Sequence, residues 1–148
     1  MKYSLILITA LFAAHTASAS CSYNVKTLEL KKDKEYMLSL SPDTQKKLLD
    51  LGWVKVGATE TATASVSVKS TSPLMSNSFL REIIARPKTK TIAVIEHDGI
   101  RKMFKASVSQ RQKMFGPCPV GWGAATERRA HQLVEERIVQ YLSQFHCK

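Results

Sequence analysis

Signatures of catalysis are missing from this chain. Its 148 residues hold no G-x-S-x-G elbow, no phosphate-cradling glycine loop and no H-E-x-x-H helix, the local patterns of activated serine, nucleotide and zinc chemistry. No C-x-x-C pair occurs, which removes a thioredoxin-like dithiol. Acidic residues are scarce, 12 against 22 Lys and Arg, so wherever charge matters the partner is an anion. Neither a nucleic-acid fold signature nor a run of stacking aromatics accompanies the basic residues, so nucleic acid is not an expected partner. Repeats and low-complexity tracts are absent as well. No N-x-S/T sequon occurs, although with only Asn24 and Asn77 present this excludes nothing about the source.

No apolar run reaches the roughly 20 residues that span a bilayer. The strongest, Leu5 to Ala14, follows Lys2 and gives way at His15-Thr16 to the small residues Ala17-Ser18-Ala19. A basic n-region, a short apolar h-region and an A-x-A site make residues 1–19 a cleavable signal peptide. Cleavage after Ala19 leaves about 129 residues and, with Lys2 gone, a net charge of +9 in place of +10. That length suits one domain able to bury its own core. The expected organisation is a signal peptide over 1–19, an N-terminal arm or short strands over 20–40, and a single α+β domain over 41–148.

Three cysteines, Cys21, Cys118 and Cys147, survive cleavage, and an odd count leaves one without an intramolecular partner. Cys21 follows small residues in a way that resembles a bacterial lipobox, although Ser18 stands where a large aliphatic residue is usual. Lipidation at Cys21 would leave Cys118 and Cys147 to form one disulfide in an oxidising compartment, worth about 3–4 kcal/mol for so short a loop. The alternative bonds Cys21 to either of the other two and leaves one buried thiol.

Ser41-Pro42-Asp43 reads as a helix start, with Ser41 as N-cap, Pro42 at the first helical position and Asp43 complementing the dipole; Gly52 ends that helix and Trp53 fills core. Lys26–Leu30 and Tyr36–Leu40 are short alternating runs. Ala62, Ala64, Val66 and Val68 alternate with polar residues, the period of a strand with one buried face. Phe79, Leu80, Ile83 and Ile84 repeat at helical spacing after Ser76-Asn77. Thr91–His97 and Ile100–Val108 flank Asp98-Gly99, a two-residue turn signal, in a register that sets Glu96 against Arg101 and Ala93 against Phe104. Ile100, Phe104, Ala106 and Val108 then share a core-facing side. Gly116 to Gly123 reads as an irregular loop. From about Ala124 to Phe145 an amphipathic helix carries Ala130, Val134, Ile138, Tyr141, Leu142 and Phe145 on one stripe. The fold class is α+β: a small, mainly antiparallel sheet with helices packed on one face and a long C-terminal helix.

Candidate chemistry is thin. Glu96-His97-Asp98 is the most ligand-like cluster, but adjacent strand residues point to opposite faces and cannot easily converge on one ion, so no metal and no cofactor is expected. Trp122, between two glycines near Cys118, and the pair Arg128 and Arg129 are the candidate partner contacts. The expected function is an exported, non-catalytic envelope or secreted binding domain whose basic surface holds an anionic partner, either an anionic surface or an acidic protein, with or without a membrane tether through lipid at Cys21. The alternative is a small secreted or periplasmic hydrolase whose carboxylates or histidine converge only in the fold.

Overall fold

A computed structural model describes residues 21–30, 35–71, 88–109 and 122–147. The signal-peptide segment, the helical run around Phe79–Ile84 and Cys118 fall outside these. The elements, in chain order, are β1 (Cys21–Val25), β2 (Glu35–Leu38), α1 (Pro42–Asp50), β3 (Trp53–Lys55), β4 (Ala64–Thr71), β5 (Lys88–His97), β6 (Ile100–Ser109) and α2 (Trp122–Leu142).

Local chemistry explains the best-defined elements. Ser41 caps α1 by accepting the Thr44 N–H through its Oγ, Pro42 follows, and the helix closes where the Gly52 N–H bonds the Leu49 carbonyl with Gly52 at φ +87°. A Cβ on Gly52 would collide with the Cys147 carbonyl oxygen, so glycine is required there by space as well as by conformation. Asp98 and Gly99 both take positive φ in the β5–β6 turn, and the register beyond it sets Glu96 against Arg101 and Ala93 against Phe104, as the turn chemistry predicts.

The sheet runs β3-β1-β4-β5-β6, with β2 paired to β4 off this path. It is mixed, a correction to the mainly antiparallel expectation: β1 runs parallel to both β3 and β4. Parallel neighbours need a crossover, and α1 supplies it between β1 and β3. β1 and β2 share one edge of β4 end to end, β1 along Ala64–Val66 and β2 along Val68–Thr71. The alternating run at Lys26–Leu30 is not a strand, and Leu30 is exposed. Strand pairing instead falls on Cys21–Val25, where Tyr23 buries against the core.

Tyr23, Trp53, Ala64, Val66, Val68, Ala93, Ile95, Val134, Ile138 and Leu142 form the main core. The helical stripe is seated as expected, with Ala130, Val134, Ile138 and Leu142 buried and Tyr141 and Phe145 packed against the rim. Ile100 departs from expectation: beside the hairpin turn it is 56% exposed, while Ala106, farther along the same face, is buried. The core turns polar toward the start of α2. There Ser70 Oγ lies 3.1 Å from Thr91 Oγ1 and Thr89 Oγ1 lies 3.1 Å from Thr126 Oγ1, all four side chains buried. Hydroxyls bonded to one another meet the requirement that buried polar groups be partnered. Burial first, and then the Glu127 carboxylate, pushes the nearby Tyr36 phenol up to about 12.

Cys147 pairs with Cys21, not with Cys118; the Cα atoms are 5.3 Å apart, inside the range a disulfide tolerates. Register makes the pairing: Cys21 stands opposite Trp53 on β3, and Trp53 Nε1 donates to the Leu142 carbonyl at the end of α2, which brings Cys147 to the start of β1. The expected Cys118–Cys147 bond assigned Cys21 to lipid; with its Sγ in the disulfide, Cys21 has no sulfur left for a thioether. No helix among the described residues is long and apolar enough to cross a membrane.

Candidate functional site

Two regions gather polar side chains. The first is an open groove of about 570 Å³ between α1 and α2, lined by Ser41, Lys47, Arg128, Arg129, His131 and Glu135 among others. It collects two of the three predicted contact residues, Arg128 and Arg129, both exposed. Trp122 opens α2, so the irregular loop ends earlier than its glycines suggest; its side chain lies outside the described residues.

Glu135 forms the floor of this groove at 5% exposure. Its Oε1 accepts the Ser41 backbone N–H at 2.5 Å and its Oε2 accepts the Ser41 hydroxyl at 2.8 Å. His131, one turn earlier on α2, places Nε2 3.4 Å from the same Oε1. A hydroxyl, a carboxylate and an imidazole therefore meet, as a hydrolase hidden from the sequence would require. Their order is wrong for a relay, which sets the imidazole between hydroxyl and carboxylate; here the carboxylate is central and the Ser41 hydroxyl is engaged in capping α1. What the cluster does is join α1 to α2. Charge-assisted hydrogen bonds of this kind contribute about 1.5–3 kcal/mol, so Glu135→Ala should lower stability by about 2 kcal/mol and Glu135→Gln by less, since the amide keeps one acceptor. Denaturant midpoints of the two variants check this; equal midpoints for Ala and wild type would remove the link.

Charge in the groove is balanced, with Asp43, Glu135 and Glu136 against Lys47, Arg128 and Arg129. Each helix is balanced too: α1 carries Lys46 and Lys47 with Asp43 and Asp50, and α2 carries three Arg and three Glu. Among the described residues the excess of positive charge belongs to the second region, the β5–β6 hairpin, where Lys88, Lys90, Arg101, Lys102 and Lys105 stand against Glu96 and Asp98.

Strand alternation sorts these residues. Thr89, Thr91, Ala93, Ile95 and His97 are buried on the core side, so Lys88, Lys90, Ile92, Val94 and Glu96 lie on the opposite, outer face. The register adds Arg101, Met103 and Lys105 from β6 to that outer face. Lys88, Lys90 and Lys105 are exposed and have no ion pair among the described residues, whereas Arg101 lies 3.7 Å from Glu96, and the neighbouring Lys69 bonds Glu35 at 3.0 Å. Sequence spacing alone does not reveal this cluster, because Lys105 is fifteen positions from Lys90 in the chain. The signal that finds it is the Asp98-Gly99 turn, which fixes the register.

His97 holds no metal-like geometry. It is buried, with the Phe145 ring tilted against it at 4.1 Å and Trp53 edge-on at 5.9 Å, and Asp98 Oδ2 lies 3.6 Å from its Nδ1. Among the described residues no three His, Cys, Asp or Glu side chains gather as a metal site. Comparison with protein-family models, curated proteins and solved structures finds no match to this chain.

Proposed function

We propose that this is an exported, non-catalytic binding domain that engages an anionic partner through the outer face of the β5–β6 hairpin. One observation carries the reading: the helices and their groove are charge-neutral, while Lys88, Lys90 and Lys105 stand together, exposed and without an ion pair among the described residues, on one sheet face. Unpaired ammonium groups on a rigid scaffold raise the local concentration of anions at no cost in breaking existing ion pairs. Rigidity comes from β5, which is hydrogen-bonded on both sides, and from Arg137, which donates to the Lys105 carbonyl at 3.0 Å and ties β6 to α2. Export follows from the signal-like residues 1–19, and the Cys21–Cys147 bond suits an oxidising compartment.

Binding to dextran sulfate across a salt series tests the reading. Replacing Lys88, Lys90 and Lys105 together by Gln should lower affinity at low salt by roughly tenfold or more. The slope of log affinity against log salt should flatten by about two to three, as the counterions released by three contacts disappear. Lys46→Gln with Lys47→Gln serves as the control and should change little. If Arg128→Gln with Arg129→Gln weakens binding instead, the groove is the site and the hairpin is not.

A further inference from the structure

We propose that the anionic partner is a lipid surface, with the β5–β6 outer face lying at headgroup depth; this deepens the reading above and rests on it. The arrangement of apolar residues within the basic cluster is what selects lipid. Register sets Val94 opposite Met103 and Ile92 opposite Lys105. Lys88, Lys90 and Lys105 therefore stand toward one end of the face, with Ile92 beside Lys105, Arg101 stands at the other, and Val94 and Met103 lie between. Val94 is buried at 4% exposure and Ile92 is half-buried, so Met103, 50% exposed in mid-strand, is the apolar side chain this face presents.

A hydrophilic polyanion would use the lysines and leave Met103 against its own hydration shell. A leaflet uses both. Lysine stems lie along apolar surface while their ammonium groups reach outward to phosphates, and an unbranched thioether adapts to the disordered boundary between headgroups and acyl chains. Amphipathic surfaces bind membranes through this combination of buried apolar area and attraction to anionic lipid. A single-stranded nucleic acid would call for aromatic stacking platforms, and the outer-face positions 88, 90, 92, 94, 96, 101, 103, 105, 107 and 109 include no aromatic residue.

The test uses the oxidised, processed protein with two probes: vesicles of phosphatidylglycerol and phosphatidylcholine in equal parts, and dextran sulfate. Met103→Gln, an exposed and conservative change, should weaken vesicle binding several-fold and leave dextran sulfate affinity unchanged. Lys88, Lys90 and Lys105 changed to Gln should weaken both, by roughly fivefold per lysine on vesicles. Vesicles of phosphatidylcholine alone should bind far less. If Met103→Gln leaves vesicle binding unchanged, the lipid inference is overturned, because the apolar centre is then idle. Binding to dextran sulfate without binding to vesicles overturns the lipid inference and keeps the anionic-partner reading. Binding to neither overturns both.

Discussion

Reduction of the oxidised protein lowers its folding stability by about 5 kcal/mol, the largest single effect expected in this molecule. The Cys21–Cys147 bond separates residues 126 positions apart, and on the chain-entropy model a loop of that length contributes about 5 kcal/mol by constraining the unfolded ensemble. Domains of this size are stable by only about 5–15 kcal/mol, so reduction should remove a large share of the total. The bond also carries a local duty: it fastens the first residue of β1 to the segment after α2, beside Gly52 and Trp53. Cys21→Ser with Cys147→Ser should match the reduced wild type, and each single variant should cost as much as the pair, since either change removes the same bond. Urea denaturation with and without reductant measures the effect. An unchanged midpoint, or recovery of a Cys118–Cys147 peptide from the oxidised protein, would sink the pairing.

Trp53→Ala should cost about 3–5 kcal/mol, the range for deleting a fully buried large aromatic side chain. Trp53 is wholly buried, edge-on to His97, which meets the tilted ring of Phe145 in turn, and its Nε1 donates to the Leu142 carbonyl at 3.2 Å. It therefore seats the end of α2 on the β1–β3 edge and holds Cys147 within reach of Cys21. Trp53→Phe is the milder truncation. It keeps one ring in place and loses the N–H together with part of the indole's volume, and the Phe145 N–H still bonds the same carbonyl at 3.2 Å, so the cost should be smaller, about 1–3 kcal/mol. Refolding of the reduced Ala variant under an air-oxidised thiol couple should also give slower and less complete Cys21–Cys147 formation. Equal stability of the Ala and Phe variants would show that packing around this ring is not what docks the helix.

Local chemistry made several elements legible. Ser41-Pro42 marked the start of α1, Gly52 its end, Ala64, Val66 and Val68 the buried side of β4, and Asp98-Gly99 both the hairpin and its register. Each depends on backbone dihedrals or a short hydrophobic period that neighbouring residues alone enforce. The candidate site was legible only in part. Arg128 and Arg129 reached a shared groove with Lys47, but the helix bearing them holds equal numbers of acids and bases, so among the described residues the excess of positive charge lies on the hairpin instead. Glu135 gave no signal at all, because its partner Ser41 lies 94 positions away.

By itself, then, the sequence determined the basic balance, the hairpin and the stripe that seats the last helix, all of which depend on composition or on residues a few positions apart. Tertiary structure decided that β1 runs parallel beside β3 and β4, that Cys147 meets Cys21, and that Lys88, Lys90 and Lys105 share a face with Met103. Those outcomes compare alternatives far apart in the chain, and the winner is whichever arrangement buries the most apolar surface with its polar groups bonded. The Trp53 Nε1 bond to the Leu142 carbonyl is the contact that brings the two cysteines together, and Trp53 is remote in the chain from both of them.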